Sequence, residues 1–180
     1  MKATGIVRRI DDLGRVVIPK EIRRTMRIRE GDPLEIFTGN DGDVIFKKYS
    51  PIGELSNFAT QYAESMSKGT KFPIIICDKD ACVAASGIPK KEVLERRVSS
   101  QLEEIFEKRT SFVLQSGEHR EFFPLEGIEH KASVAIPIIS SGDVIGAVCL
   151  IMQENGAVPE DTDVKIASVA ASFLGKQMEE

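Results

Sequence analysis

The chain has no tryptophan and only two histidines and three cysteines among its 180 residues. Each scarcity removes a class of function. His119 and His130 lie in polar stretches with no nucleophile motif beside them. Cys77 and Cys82 are separated by four residues, with no second Cys/His pair at metal-ligand spacing. No phosphate-binding glycine loop, GxSxG elbow or HExxH helix occurs. The carboxylates of QLEEIFEK fall on one helix and read as solvated charge. No catalytic constellation assembles, so no enzyme, metal or cofactor is expected. No apolar run approaches the roughly 18–20 residues that span a bilayer. The opening MKATGIVRRIDDLG carries no apolar segment of a secretory leader. Cys77, Cys82 and Cys149, odd in number and set in or beside apolar runs, suit buried reduced thiols in a cytoplasm.

Charge of one sign is also scarce, but only locally. Hydrophobic residues make up 42% of the chain and charged residues 29%, enough to build a core, and the net charge is −4. Residues 1–50 hold eleven Lys+Arg against eight Asp+Glu, a net of +3, which leaves −7 for residues 51–180. Within the first 29 residues, nine basic side chains face three acidic ones. A basic module is joined to an acidic one.

Residues 1–50 read as short strands around one short helix. TGIVRRI is β-rich, DDLG turns with Gly14 free to take positive φ, and RVVI is a second strand. Pro19 suits the first turn of a helix running over KEIRRTMRI, which stops before EGDP. LEIF and VIFKKY alternate about GNDGD, a hairpin signal. About 50 residues is marginal for one hydrophobic core, so the module is expected to oligomerise, with intertwined strands as one route.

Tyr49-Ser50-Pro51 reads as the joint. Beyond it Ile52, Leu55, Ala59, Tyr62 and Met66 follow a 3-4-3-4 spacing, the seam of a helix packed on another helix. FPIIICD and ACVAASG are strands flanking a KD turn, Lys90 to Arg109 is helical, and SFVLQS, ASVAIPIIS and VIGAVCLIMQ are strands. The final helix opens at Pro159 with an acid-rich turn. It is apolar on two sides, with Ile166, Val169 and Phe173 on one and Ala167, Ala171 and Leu174 on the other. Such a helix is expected to be buried twice, once against its own sheet and once against a partner. Residues 51–180 thus read as an antiparallel α+β sandwich, helical at both ends.

The stretch DDLGRVVIPKEIRRTMRI crowds four arginines and a lysine into this acidic chain. With Ile22 at zero on a wheel of about 100° per residue, Met26 falls at about 40° and Pro19 at about 60°. Lys20, Arg23, Arg24 and Arg27 then share one arc between about 100° and 200°. The arc is either a solvated face or a contact surface for a polyanion. Arginine outnumbers lysine here, and its planar fork suits phosphate oxygens and guanine edges. Like charges on one face also cost stability unless a polyanion relieves them, and double-stranded DNA is the polyanion expected.

TGIVRRIDDLGRVVIPKEIRRTMRIREGDPLEIF resembles the DNA-binding domain of AbrB-type transition-state regulators, whose hallmark is similar to GRVVIP followed by E-[IL]-R-R. The resemblance implies a swapped-hairpin dimer, a β-barrel-like unit of two interleaved chains. It also implies that Arg8, Arg15, Arg23 and Arg24 face DNA, with Arg9 and Lys2 as weaker additions. The family often has glycine after the helix where this chain has Arg27; losing that glycine removes an easy C-cap and adds a positive charge. Taken whole, the chain resembles a family of sporulation regulators in which an AbrB-like domain (here 1–50) precedes a GAF-like one (51–180). That implies a sporulation transcription regulator, activating some promoters and repressing others, cytoplasmic and nucleoid-associated.

GAF-like domains build an antiparallel sheet flanked by helices, and many hold a small molecule over one sheet face. The NKFDE signature of cyclic-nucleotide binding is absent, as is a cysteine in a chromophore-attachment context. If a pocket forms, Phe112, Phe122 and Phe123 are its apolar wall with Ser86 beside them; otherwise they are ordinary core. This half is expected to set oligomeric geometry or to sense a ligand. Pairing through the N-terminal module, plus a second seam through Ile166, Val169 and Phe173 with the helix after residue 51, gives a dimer of dimers. The alternative is an antitoxin-like DNA-binding protein whose C-terminal half wraps a protein partner.

Overall fold

The computed structural model describes residues 4–54, 56–153 and 155–179. The chain divides into two units, Met1–Tyr49 and Ser50–Glu180.

In the first unit, helix α1 (Lys20–Thr25) and an antiparallel hairpin, β1 (Leu34–Thr38) with β2 (Val44–Lys48), are the regular elements. GNDGD closes the hairpin, with Gly42 at φ +78° and Gly39 N donating to Asp43 O at 2.8 Å. Residues 4–10 and 15–18, expected as strands, are not strands in one protomer. They are joined only by the 11–14 turn, where Gly14 N donates to Asp11 O and Asp11 N to Arg15 O, each at 3.0 Å. A strand exists only with a neighbour to receive its N–H and C=O groups, and one copy offers none here. No described residue of this unit is buried, and Val7, Leu13 and Val17 stand 88%, 69% and 70% exposed.

The second unit runs α2 (Pro51–Glu54), α3 (Ser56–Met66), β3 (Ile74–Asp78), β4 (Cys82–Ser86), α4 (Lys90–Val93), α5 (Ser100–Lys108), β5 (Phe112–Val113), β6 (Ala132–Ser140), β7 (Asp143–Ile151) and α6 (Asp161–Gln177). Its strands form one antiparallel sheet in the order β4-β3-β7-β6-β5. Alternation sends Ile74, Ile76, Ala84, Val134, Ile138, Val148 and Leu150 to the face covered by α3 and α6. Ile75, Cys77, Cys82, Ala135, Ala147 and Cys149 point the other way, beneath Leu102, Ile105 and Phe106 of α5. The element order agrees with the sequence reading. The helix expected from Lys90 to Arg109 is broken, however. Residues 94–99 instead cross the sheet end, where Cys82 N donates to Arg96 O and Glu126 N to Arg97 O.

Two glycines allow close backbone approach, Gly146 between the neighbouring strands β7 and β3 and Gly175 between α6 and the sheet. A Cβ on Gly146 of β7 would sit 2.1 Å from Cys77 O, and one on Gly175 of α6 would sit 2.1 Å from Ile139 O. Only glycine lets these backbones approach so closely.

The expected seam needs correction. Ile52, Ala59 and Met66 are buried in the protomer's own core against the sheet, and Ile166 is packed against that core. Their helical spacing serves the sheet, which offers the nearest apolar surface. Tyr62 is half-buried, and Leu55 lies outside the described residues. On α6 the Ala167, Ala171 and Leu174 side is buried, while Val169 and Phe173 remain 64% and 41% exposed. Phe173 closes an aromatic cluster with α3, its ring centroid 5.3 Å from Tyr62 and 6.2 Å from Phe58.

Candidate nucleic-acid interface

The basic side chains project from a turn and one short helix. Asp11 organises the turn: its Oδ1 accepts from Leu13 N at 3.0 Å and from Arg15 N at 2.7 Å, and its Oδ2 accepts from Arg15 Nε at 2.8 Å. The backbone N–H of Arg15, then its guanidinium, hold the Asp11 carboxyl below its usual range. Arg15 thus leaves the turn with its side chain aimed and its root fixed.

Pro19 stands before α1 with φ −56° and ψ 148°, preset for helix entry but just outside the helix. Arg8, Arg9, Lys20, Arg23 and Arg24 are exposed, and none pairs with a carboxylate among the described residues. Lys2 lies outside the described residues.

Arg27 departs from the wheel. The helix stops at Thr25 with Met26 as its cap, and Arg27 takes φ +50°. Ile28 N donates to Arg23 O at 2.8 Å and Arg27 N to Arg24 O at 3.3 Å. These two bonds make a Schellman closure with arginine in the left-handed position that glycine usually fills. Lys48 Nζ of β2 donates to Arg27 O at 3.0 Å, tying the helix end to the hairpin. Arg27 is half-buried, so it belongs to the closure and not to the continuous arc of Lys20, Arg23 and Arg24. The wheel failed there because it continued helical φ and ψ through a residue that leaves the helix.

The second unit separates the four pocket candidates. Phe112 and Phe122 stack at 4.7 Å, are nearly buried, and line a cavity of about 340 Å³ between α5 and residues 110–122. Phe123 is half-buried and outside that lining, with Lys131 Nζ 6.0 Å from its ring centroid. Ser86 sits elsewhere, its hydroxyl 3.0 Å from that of Ser67. Gln101 and Arg120, which also line the cavity, carried no signal in the sequence, because polar residues on a helix and in a loop look alike whatever they face.

Cys77, Cys82 and Cys149 are free and buried. The hydrogen bond with Cys82, followed by burial, pushes the Cys77 thiol up; burial pushes Cys149 up. Such thiols are poor nucleophiles. His130 Nε2 meets Glu92 Oε2 at 3.1 Å on the surface. Among the described residues no group of His, Cys, Asp and Glu is arranged to hold a metal, and no helix is long and apolar enough to cross a membrane.

Residues 54–179 match the family model described as stage V sporulation protein T C-terminal, transcription factor. Residues 7–53 match the model described as antidote-toxin recognition MazE, bacterial antitoxin. The chain is 48% identical over 182 aligned positions to stage V sporulation protein T of Bacillus subtilis, covering 100% of both chains. It is 61% identical over 51 positions to the transition state regulatory protein AbrB of the same organism, covering 28% of this chain and 52% of that one. The GAF domain of an Acinetobacter phosphoenolpyruvate-protein phosphotransferase superposes with a TM-score of 0.51 at 14% identity, over 73% of this chain and 84% of that one. That likeness identifies the sheet and helices of the second unit as a GAF fold.

Proposed function

The chain belongs to the family of stage V sporulation protein T, and from that membership we propose that its arginine-bearing turn and helix lie on DNA in a paired N-terminal module. The chain is a transcription regulator with an AbrB-type DNA-recognition domain and a GAF-like C-terminal domain. It acts in the cytoplasm, on the nucleoid, and controls sporulation genes as activator at some promoters and repressor at others.

The observation that carries the reading is a surface on which Arg8, Arg9, Lys20, Arg23 and Arg24 meet no carboxylate and only Arg15 is paired, with Asp11, on a unit with no buried side chain among its described residues. Exposed arginines that lack carboxylate partners retain their full attraction for phosphate. Arg8, Arg15, Arg23 and Arg24 make the principal contacts, with Arg9 and Lys2 at the margin. Phosphate contacts supply most of the affinity, and arginine forks on base edges supply selectivity.

Residues 4–10 and 15–18 expose apolar side chains and lie outside any strand of one protomer, which is the surface a second copy would cover in a swapped hairpin. Val169 and Phe173, beside Phe58 and Tyr62, offer a second apolar stripe and hence a dimer of dimers. The GAF-like half then sets the spacing of the DNA-binding pairs, or senses a small ligand. An antitoxin-like role, with the C-terminal half wrapping a protein, is disfavoured because that half is a folded sheet with apolar cores on both faces.

The test is binding of a sporulation-promoter fragment followed by fluorescence anisotropy across a salt series. Affinity should fall steeply, each neutralised phosphate adding a log–log slope of about −0.9. A flat response, or wild-type affinity in all four single alanine variants of Arg8, Arg15, Arg23 and Arg24, would overturn the assignment.

A further inference from the structure

The cavity beside α5 has a wall, a floor and one uncommitted charge. Its wall is pinned: Gln101 Oε1 accepts from Phe123 N at 2.7 Å, and Gln101 Nε2 donates to Glu121 O at 3.2 Å. Those two hydrogen bonds clamp the loop to the first turn of α5, and the cavity runs along the helix past Glu104, Ile105 and Lys108. The floor is the Phe112–Phe122 stack with Ile105 beside it. The central sheet face is closed separately, since Cys77, Ala135, Ala147 and Cys149 are fully buried beneath α5. The opening therefore lies beside that face and not over it.

Four charged side chains line the cavity, and most are already engaged. Glu104 pairs with Lys108, whose ammonium draws the carboxyl below its usual range. Glu121 pairs with Lys131 at 2.5 Å. Arg120 is different: its guanidinium stands 5.2 Å over the Phe112 ring and meets no carboxylate among the described residues. A guanidinium held by a ring face keeps its in-plane N–H edge for a second, bidentate partner. The hydroxyls of Thr110 and Ser111 line the same opening. At about 340 Å³ the cavity falls in the range of small-molecule sites.

From this arrangement we propose that the cavity binds a small organic carboxylate with an apolar body, the carboxylate on Arg120 and the body over Phe112 and Ile105. The neighbouring charges cancel within their own pairs, so one anionic group matches the site and a dianion finds no second cation. Phosphate lacks the apolar part and gains nothing from the floor. The proposal rests on the ligand-sensing reading of the GAF-like half. It leaves the DNA reading independent, since Arg120 lies far along the chain from the arginines placed on DNA.

The experiment uses the full chain, with benzoate, phenylacetate and isovalerate as probes, followed by amide chemical shifts. The expected result is saturable shifts in residues 101–123 for at least one probe below about 20 mM, a range suited to a fragment-sized ligand. Arg120→Gln should weaken that binding about tenfold or more, as loss of a charge-assisted pair does. Benzamide in place of benzoate should weaken it similarly. No saturable shift with any probe overturns the proposal. Equal shifts from inorganic phosphate or sodium chloride, or unchanged binding in Arg120→Gln, also overturn it. Arg120→Gln without probe should keep wild-type promoter affinity, whereas lost DNA binding would place Arg120 on the DNA surface and sink the pocket assignment.

Discussion

Asp11 and Arg15 are joined twice, through the Arg15 backbone N–H at 2.7 Å and through its Nε at 2.8 Å. One carboxylate thus shapes the turn and aims the arginine that leaves it. A negative charge within a DNA-facing surface would ordinarily be a liability. Here it fixes the geometry on which the cation depends, at the cost of some net attraction.

Asp11→Ala should therefore weaken promoter binding, by about threefold to tenfold, although it removes an acid from the surface. Anisotropy titration checks this, and tighter binding would refute the positioning role. The folded carboxyl titrates below its ordinary value of 3.8. Its contribution is then present above that pH and is lost as pH falls toward the folded pKa. Arg15 line shapes followed by NMR between pH 5 and 2 should loosen in that acid window and not near neutrality.

Arg23→Ala and Arg24→Ala should each cost about 1–3 kcal/mol if they read a base edge, with relaxed selectivity at one position. If they touch phosphate only, the loss should be uniform across sequences and the salt slope should drop by about 1. Binding to a set of single-base promoter variants separates the two outcomes. Melting temperatures should stay unchanged, because both side chains are exposed.

Arg27→Gly should stabilise the protein by about 1 kcal/mol, by relieving a left-handed non-glycine residue at φ +50°. Chemical denaturation measures this. A loss of DNA affinity in the more stable variant would show that the Arg27 side chain also serves contact; unchanged affinity would confine it to the helix end.

Gly146→Ala and Gly175→Ala should each destabilise by about 3 kcal/mol or more, because the new methyl would sit 2.1 Å from a backbone carbonyl oxygen. Thermal melts of the full chain test this, and near-wild-type melting would mean that strand β7 or helix α6 can shift from its neighbour without loss.

Phe173→Asp and Val169→Asp should lower the mass seen by light scattering, to half if the α6 stripe joins two dimers. Both residues are already exposed within one protomer, so folding should survive. An unchanged mass in both variants would remove the second seam.

Much of this was legible because period and punctuation are local. GNDGD between two alternating runs gave the hairpin, Gly14 gave the turn, and the apolar runs at β3, β6 and β7 gave the sheet strands in order. The resemblance carried in GRVVIP and EIRR singled out Arg15, Arg23 and Arg24. Arg27 was misplaced because a wheel has no means of knowing where a helix ends. Ile52, Ala59 and Met66 were misassigned for a related reason: helical spacing shows that a face is apolar, not what covers it.

By itself, then, the sequence determined the two-part division of charge, the order of elements and the arginine-rich stretch, since these follow from composition and near-neighbour periodicity. Tertiary structure alone decided the rest. Only the sheet could turn one side of α6 into core and leave Val169 and Phe173 outside. Pocket candidates were parted in the same way: Phe112 and Phe122 went to one cavity, Ser86 elsewhere, and Arg120 was brought over a ring. Which side chains meet depends on strand register and layer packing between distant segments, and no local pattern encodes that distance.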